Sequence, residues 1–156
     1  MGPANGSVAE SAASGPGGEL REMTSRTLSA DHSAPRAATS WLRGLALPLS
    51  ESRYSDAELC VDELVTNVVR YAWPEDEKHA VTVSVARSAS EVEITIEDDG
   101  RPFDPNDAPT PPAHRSLEEA VPGGRGLMLV RAVAPRFRYE RRDGRNRVTV
   151  AFPLES

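Results

Sequence analysis

Apolar residues recur along most of the chain with one of two periods, and the switches between them mark the elements. Between Ala34 and Leu47, residues Ala38, Trp41, Leu42 and Leu45 return at helical spacing, with Pro35 suited to the first turn. Pro48 stops that helix. Ser55-Asp-Ala-Glu58 has the form of a capping box, which predicts a second helix running to about Ala72 and closed by Trp73-Pro74. At about 100° per residue, Ala57, Val61, Leu64, Val65, Val68 and Ala72 fall in one arc, the stripe a core requires. Glu63, Thr66, Asn67 and Arg70 lie on the opposite side.

Period two follows. Val81, Val83 and Val85 share one strand face, and Val92, Ile94 and Ile96 share a face of the next strand. Thr24–Ala30 is expected to form a short first strand. After a stretch from about 99 to 123 that holds six of the thirteen prolines, an apolar helix is expected over Leu127–Ala134. A hairpin ends the chain, with strands Phe137–Arg141 and Arg147–Phe152 joined around Asp143-Gly144. The order β-α-α-β-β-loop-α-β-β gives an α+β fold: a two-layer sandwich of a mixed β-sheet with helices on one face. Residues 1–22, rich in Gly, Ala, Ser and Pro, have too little to bury and are expected to be a disordered tail. The folded domain then occupies 23–156.

Composition narrows the function. A net charge of −6 argues against direct binding to nucleic acid, where clustered cations are rewarded. The single Cys60 excludes an internal disulfide and a cysteine-based zinc cluster. No run of about eighteen apolar residues points to a membrane span, and the N-terminus lacks the order of a secretory signal, so the expected location is cytoplasmic. His32, His79 and His114 are scattered without ligand spacing.

Three features carry candidate chemistry. Glu63 and Asn67 are four apart, so their side chains stack on one helix face; a solvated face is the ordinary alternative. The inward series Val92, Ile94, Ile96 continues onto Asp98, where a carboxylate aimed at the core must be satisfied. Two readings stay open: an acceptor at the bottom of a pocket, with Gly100 letting backbone approach a flat ring, or a cap for the turn at Gly100. Finally, Gly123-Gly124-Arg125-Gly126 leads into Leu127-Met-Leu-Val. Glycines entering a helix leave N–H groups free for an anion, or simply make a flexible turn. Neither a P-loop lysine nor a preceding Rossmann strand accompanies them.

Together E63-L-V-T-N67, D98-D-G100-R-P-F and G123-G-R-G-L-M-L-V130 resemble the N, G1 and G2 boxes of the GHKL ATPase superfamily, which includes gyrase, histidine kinases and MutL-type proteins. The likeness covers about residues 24–153. The short E-x-V-T-N form, without a phospho-acceptor domain, is most similar to anti-sigma-factor serine kinases of the RsbW and SpoIIAB type.

The resemblance implies ATP and Mg²⁺ as cofactors. Asn67 matches the magnesium ligand, and Glu63 the general base acting on the attacking hydroxyl. Asp98 matches the carboxylate that reads adenine, with Gly100 beside it. Gly124, Arg125, Gly126 and Leu127 match the turn around the phosphates, and about 101–122 would be the ATP lid. Pro102 and Asn146-Arg147 depart from the pattern, the latter standing where many relatives have Gly-Thr. The implied function is a protein serine kinase that phosphorylates a STAS-type anti-anti-sigma factor and sequesters a sigma factor, with homodimers common among its kin. Two alternatives remain: a catalytically silent ATP-binding module, and a stand-alone histidine-kinase-like catalytic domain.

Overall fold

The computed structural model describes residues 14–15, 18–73, 79–102 and 124–154. Its elements run β1 (Ser14–Gly15), β2 (Gly18–Ser29), α1 (Ala34–Gly44), α2 (Glu51–Tyr71), β3 (Ala80–Ser88), β4 (Glu91–Asp98), α3 (Gly124–Val133), β5 (Arg136–Arg142) and β6 (Arg145–Pro153). The sheet order is β1-β2-β3-β4-β6-β5. An α+β sandwich is thus observed, but the sheet corrects one expectation: its pairings among the described residues are all antiparallel, not mixed. The connection through α3 does return β5 parallel to β4. The following hairpin, however, inserts β6 between them, so no parallel ladder forms.

One face of the sheet is apolar because the strands alternate. Val81, Val83, Val85, Val92, Ile94, Ile96, Val150 and Phe152 are all buried there, against Ala38 and Leu42 of α1, Val61 and Val65 of α2, and Leu127 and Val130 of α3. The other face is polar. Thr95 hydrogen-bonds Thr149 across β4 and β6 at 2.9 Å, and ion pairs such as Arg147–Glu97 at 3.2 Å continue the ladder. Cys60 sits in the core, where burial pushes its thiol up to about 12.

Helix boundaries differ from expectation at one point that matters. Helix α2 starts at Glu51, not at the Ser55 box, because Ser50 takes an extended backbone and its hydroxyl accepts the Arg53 N–H at 3.2 Å. Ser55 is then an interior residue. The extra turn carries Tyr54, which is buried and donates its hydroxyl proton to the Leu42 carbonyl at 2.7 Å, locking α1 to α2. At the other end of the chain, Asp143 and Gly144 both have positive φ (53° and 75°), the two-residue hairpin turn that Asp-Gly predicts.

Strand β2 begins at Gly18, inside the segment expected as a tail. Residues 1–13 lie outside the described residues, as do 103–123, which hold almost all of the expected lid and Gly123.

Candidate functional site

A cleft opens between the helical layer and the end of the sheet. Helix α2 contributes Leu64, Asn67, Val68, Tyr71 and Ala72; the strands contribute Ile96, Asp98, Asn146 and Val148; and α3 contributes Leu127. The lining is mostly apolar, with Asn67, Asp98 and Asn146 as its polar amide and carboxylate groups. Such a slot suits a flat, largely apolar ring that also offers a few hydrogen-bonding atoms.

Asp98 lines the cleft and also caps the turn at Gly100. It is the last residue of β4, turned inward with only 5% of its surface exposed, and its Oδ1 also accepts the Gly100 N–H at 2.8 Å. Burial holds its carboxyl above the usual carboxylate range, while the bond from Asn146 pulls the other way. Among the described residues nothing bonds Oδ2, so one lobe of the carboxylate remains to meet a ligand.

Gly100 has a structural reason beside any ligand. A Cβ there would lie 2.5 Å from the Ala72 Cβ and closer still to the Ala72 carbonyl. Arg101 continues the contact, donating its backbone N–H to the Ala72 oxygen at 2.8 Å and its Nε to the Tyr71 oxygen at 2.8 Å. These bonds satisfy carbonyls at the C-terminus of α2 that the helix itself leaves open. The neighbouring Asp99 turns aside and accepts from the indole of Trp73 at 3.2 Å, with Trp73 stacked on His79.

On α2, Asn67 reaches the cleft, and its Nδ2 is buried with no hydrogen-bond partner among the described residues. An orphaned buried amide is costly in a native fold and marks a place where a ligand completes the bonding. Glu63, one turn earlier, is half-buried and is not part of the cleft lining. Gly124 and Gly126 belong to α3 itself, and Leu127 in its first turn borders the cleft, so the N-terminal end of that helix lies beside it. The Arg125 side chain lies outside the described residues. The structure therefore brings Asn67, Asp98 and Leu127 to one cleft, with Gly100 and Glu63 outside its lining.

Asn146 is the residue sequence reasoning undervalued. It is 4% exposed and pairs in register with Asp98 across β4 and β6. Its Nδ2 donates to Asp98 Oδ1 at 3.1 Å and to the Arg101 carbonyl at 2.8 Å; its Oδ1 accepts from the Tyr139 hydroxyl at 2.7 Å and from Arg141 Nη1 at 3.1 Å. The signal was available. Phe152, Val150 and Val148 continue by period two onto Asn146, the same alternation that exposed Asp98 on β4.

An apolar slot with one free carboxylate lobe and one orphaned amide, set at a helix N-terminus, fits an adenine nucleotide. The chain belongs to the histidine kinase-like ATPase domain family, whose model matches residues 27–152. It is 35% identical over 137 residues to the serine/threonine-protein kinase BtrW of Bordetella bronchiseptica, covering 82% of this chain and 94% of that protein. The fold is shared with the crystal structure of the RsbU and RsbW domains of Rv1364c from Mycobacterium tuberculosis, at a TM-score of 0.61 and 19% identity over 86% of this chain. This chain spans 34% of the length of that one. Among the described residues, no helix is long and apolar enough to cross a membrane.

Proposed function

We propose that the domain is an ATP-dependent protein serine/threonine kinase acting as an anti-sigma factor, phosphorylating a serine of a STAS-type antagonist and sequestering a sigma factor. One observation carries the nucleotide half: Asn67 and Asp98 meet in an apolar cleft with bonding capacity unspent, in a chain 35% identical to a serine/threonine-protein kinase. The partners rest on the resemblance of the three boxes alone. They and ATP would place its action in the cytoplasm.

The residues divide the work. Asp98 accepts from the exocyclic amine of adenine, while Leu64, Ile96 and Val148 bury the ring faces. Asn67 would hold Mg²⁺, since a half rotation of its amide offers a hard oxygen where the buried nitrogen lies. When bound, the metal neutralises charge on the phosphates, which phosphoryl transfer needs more than covalent help. The N–H groups in the first turn of α3 would meet the phosphates, as helix N-termini commonly do. Glu63 would take the proton of the attacking serine hydroxyl.

A second reading keeps nucleotide binding without transfer. Its support is that Glu63 lies outside the cleft lining. Incubating the protein with Mg-ATP and the STAS proteins of its own genome separates the two. Radiolabel on a STAS serine is expected. A protein that binds ATP but labels none of them is the silent module.

A further inference from the structure

We propose that Asn146 is the positioning residue of base recognition: it fixes Asp98 so that a single carboxylate lobe reads the exocyclic amine of the base. The inference rests on the nucleotide-binding reading above and adds a residue to it.

Start from the bonding capacity of a carboxamide, two donors and two lone pairs. Asn146 uses all four within the protein. It therefore has no donor or acceptor left to read a base directly. What it does instead is hold. Its Nδ2 and the Gly100 N–H both anchor Asp98 Oδ1, which leaves Oδ2 as the acceptor the ligand meets and prevents the carboxylate from rotating. The same amide grips the Arg101 carbonyl, and Arg141 Nη1 grips both the Gly100 carbonyl at 2.8 Å and Asn146 itself. The hairpin thus clamps the turn that follows Asp98, and Tyr139 holds the clamp from behind.

Charge supports the same role. Asp98 must stay ionised for Oδ2 to be an acceptor while Oδ1 keeps its two bonds, yet burial and the neighbouring Asp99 both disfavour its charge. Asn146, the Gly100 N–H and Arg141 oppose them. Removing the Asn146 donor shifts that balance toward the protonated acid, whose O–H faces an amine that needs an acceptor.

The test compares two nucleotides that differ at one atom group. Mg-ATP carries the exocyclic amine; Mg-ITP carries a carbonyl in its place. Dissociation constants are measured by calorimetry for the wild type, Asn146→Ala and Asn146→Thr, with thermal melts to confirm folding. Loss of one hydrogen bond to a charged group predicts about a tenfold weaker ATP affinity in Asn146→Ala. ITP affinity is expected to be unchanged. Asn146→Thr keeps a hydroxyl donor opposite Asp98 and recovers part of the ATP affinity. In Asn146→Ala the fall of ATP binding on acidification begins at higher pH than in the wild type. Equal loss for both nucleotides, or no loss for ATP, overturns the positioning role while leaving the nucleotide site intact. A wild type that binds neither nucleotide overturns the site itself, and this inference with it.

Discussion

Around Asp98 the polar groups bond one another: the carboxylate, Asn146, Tyr139, Arg141 and the backbone of Gly100 and Arg101 form one network before any ligand arrives. Around Asn67, which lines the same cleft, a buried amide has no partner among the described residues. On the proposed function these are a base end already built and a phosphate end that waits for its ligand. Preorganised groups select a ligand cheaply because little must be ordered on binding, whereas an unbonded group gains most from the ligand that completes it. Specificity is thus expected from the first end, and dependence on metal and phosphate from the second.

The harshest way to break the base end is Gly100→Ala. The added methyl meets the backbone of Ala72, which cannot swing away as a side chain would. A loss of about 3 kcal/mol in urea denaturation is expected, with ATP affinity falling as the turn moves. Unchanged stability would mean that the turn is not pressed on α2 as described.

Asp98→Asn is expected to separate binding from stability. The amide keeps the bonds at Oδ1 but presents a donor where Oδ2 stood, so ATP affinity should drop at least about tenfold in calorimetry. Stability should not drop with it. A folded-state carboxyl raised above its unfolded value costs stability as pH climbs through that range, because the unfolded chain gives up its proton more readily. At pH 7 the wild type bears that cost and the amide does not, so the variant should unfold at an equal or higher urea concentration. At pH 4 the advantage should shrink.

How far these ends were legible depends on range. Alternation along β4 carried the reading to Asp98 with no tertiary knowledge, and the helical repeat of α2 set Asn67 off from the core stripe. Asn146 obeys the same alternation on β6, but its importance lies in the Asp98 pairing, which is a register and not a local pattern. Gly100 shows the limit more sharply: its glycine is demanded by Ala72, and no spacing rule brings those two together. The misplaced start of α2 has a different cause. Ser55-Asp-Ala-Glu58 has the letters of a cap, but Ser50 has the backbone of one, and Tyr54 gains by joining the helix.

Asn67→Leu probes the waiting end with a milder effect. Replacing an orphaned buried amide by a hydrocarbon of similar size removes a desolvation cost, so the unliganded protein should gain about 1 kcal/mol. The melting-temperature rise given by Mg-ATP to the wild type should vanish in the variant. A variant less stable than wild type would show that the amide has a partner after all.

Glu63→Gln should change binding least. The side chain lies outside the cleft lining, and the substitution keeps its size and one accepting oxygen. Calorimetry should give wild-type affinity for Mg-ATP, with thermal melts confirming that the variant is folded. Transfer is another matter. An amide cannot take a proton from a serine hydroxyl, and loss of a positioned general base typically slows a reaction about 10²- to 10⁴-fold. Single-turnover phosphorylation of the STAS partner is therefore the decisive readout: slow transfer with intact binding assigns Glu63 to chemistry. Transfer at the wild-type rate would leave the base to another residue and reduce the N-box pair to one functional member, Asn67.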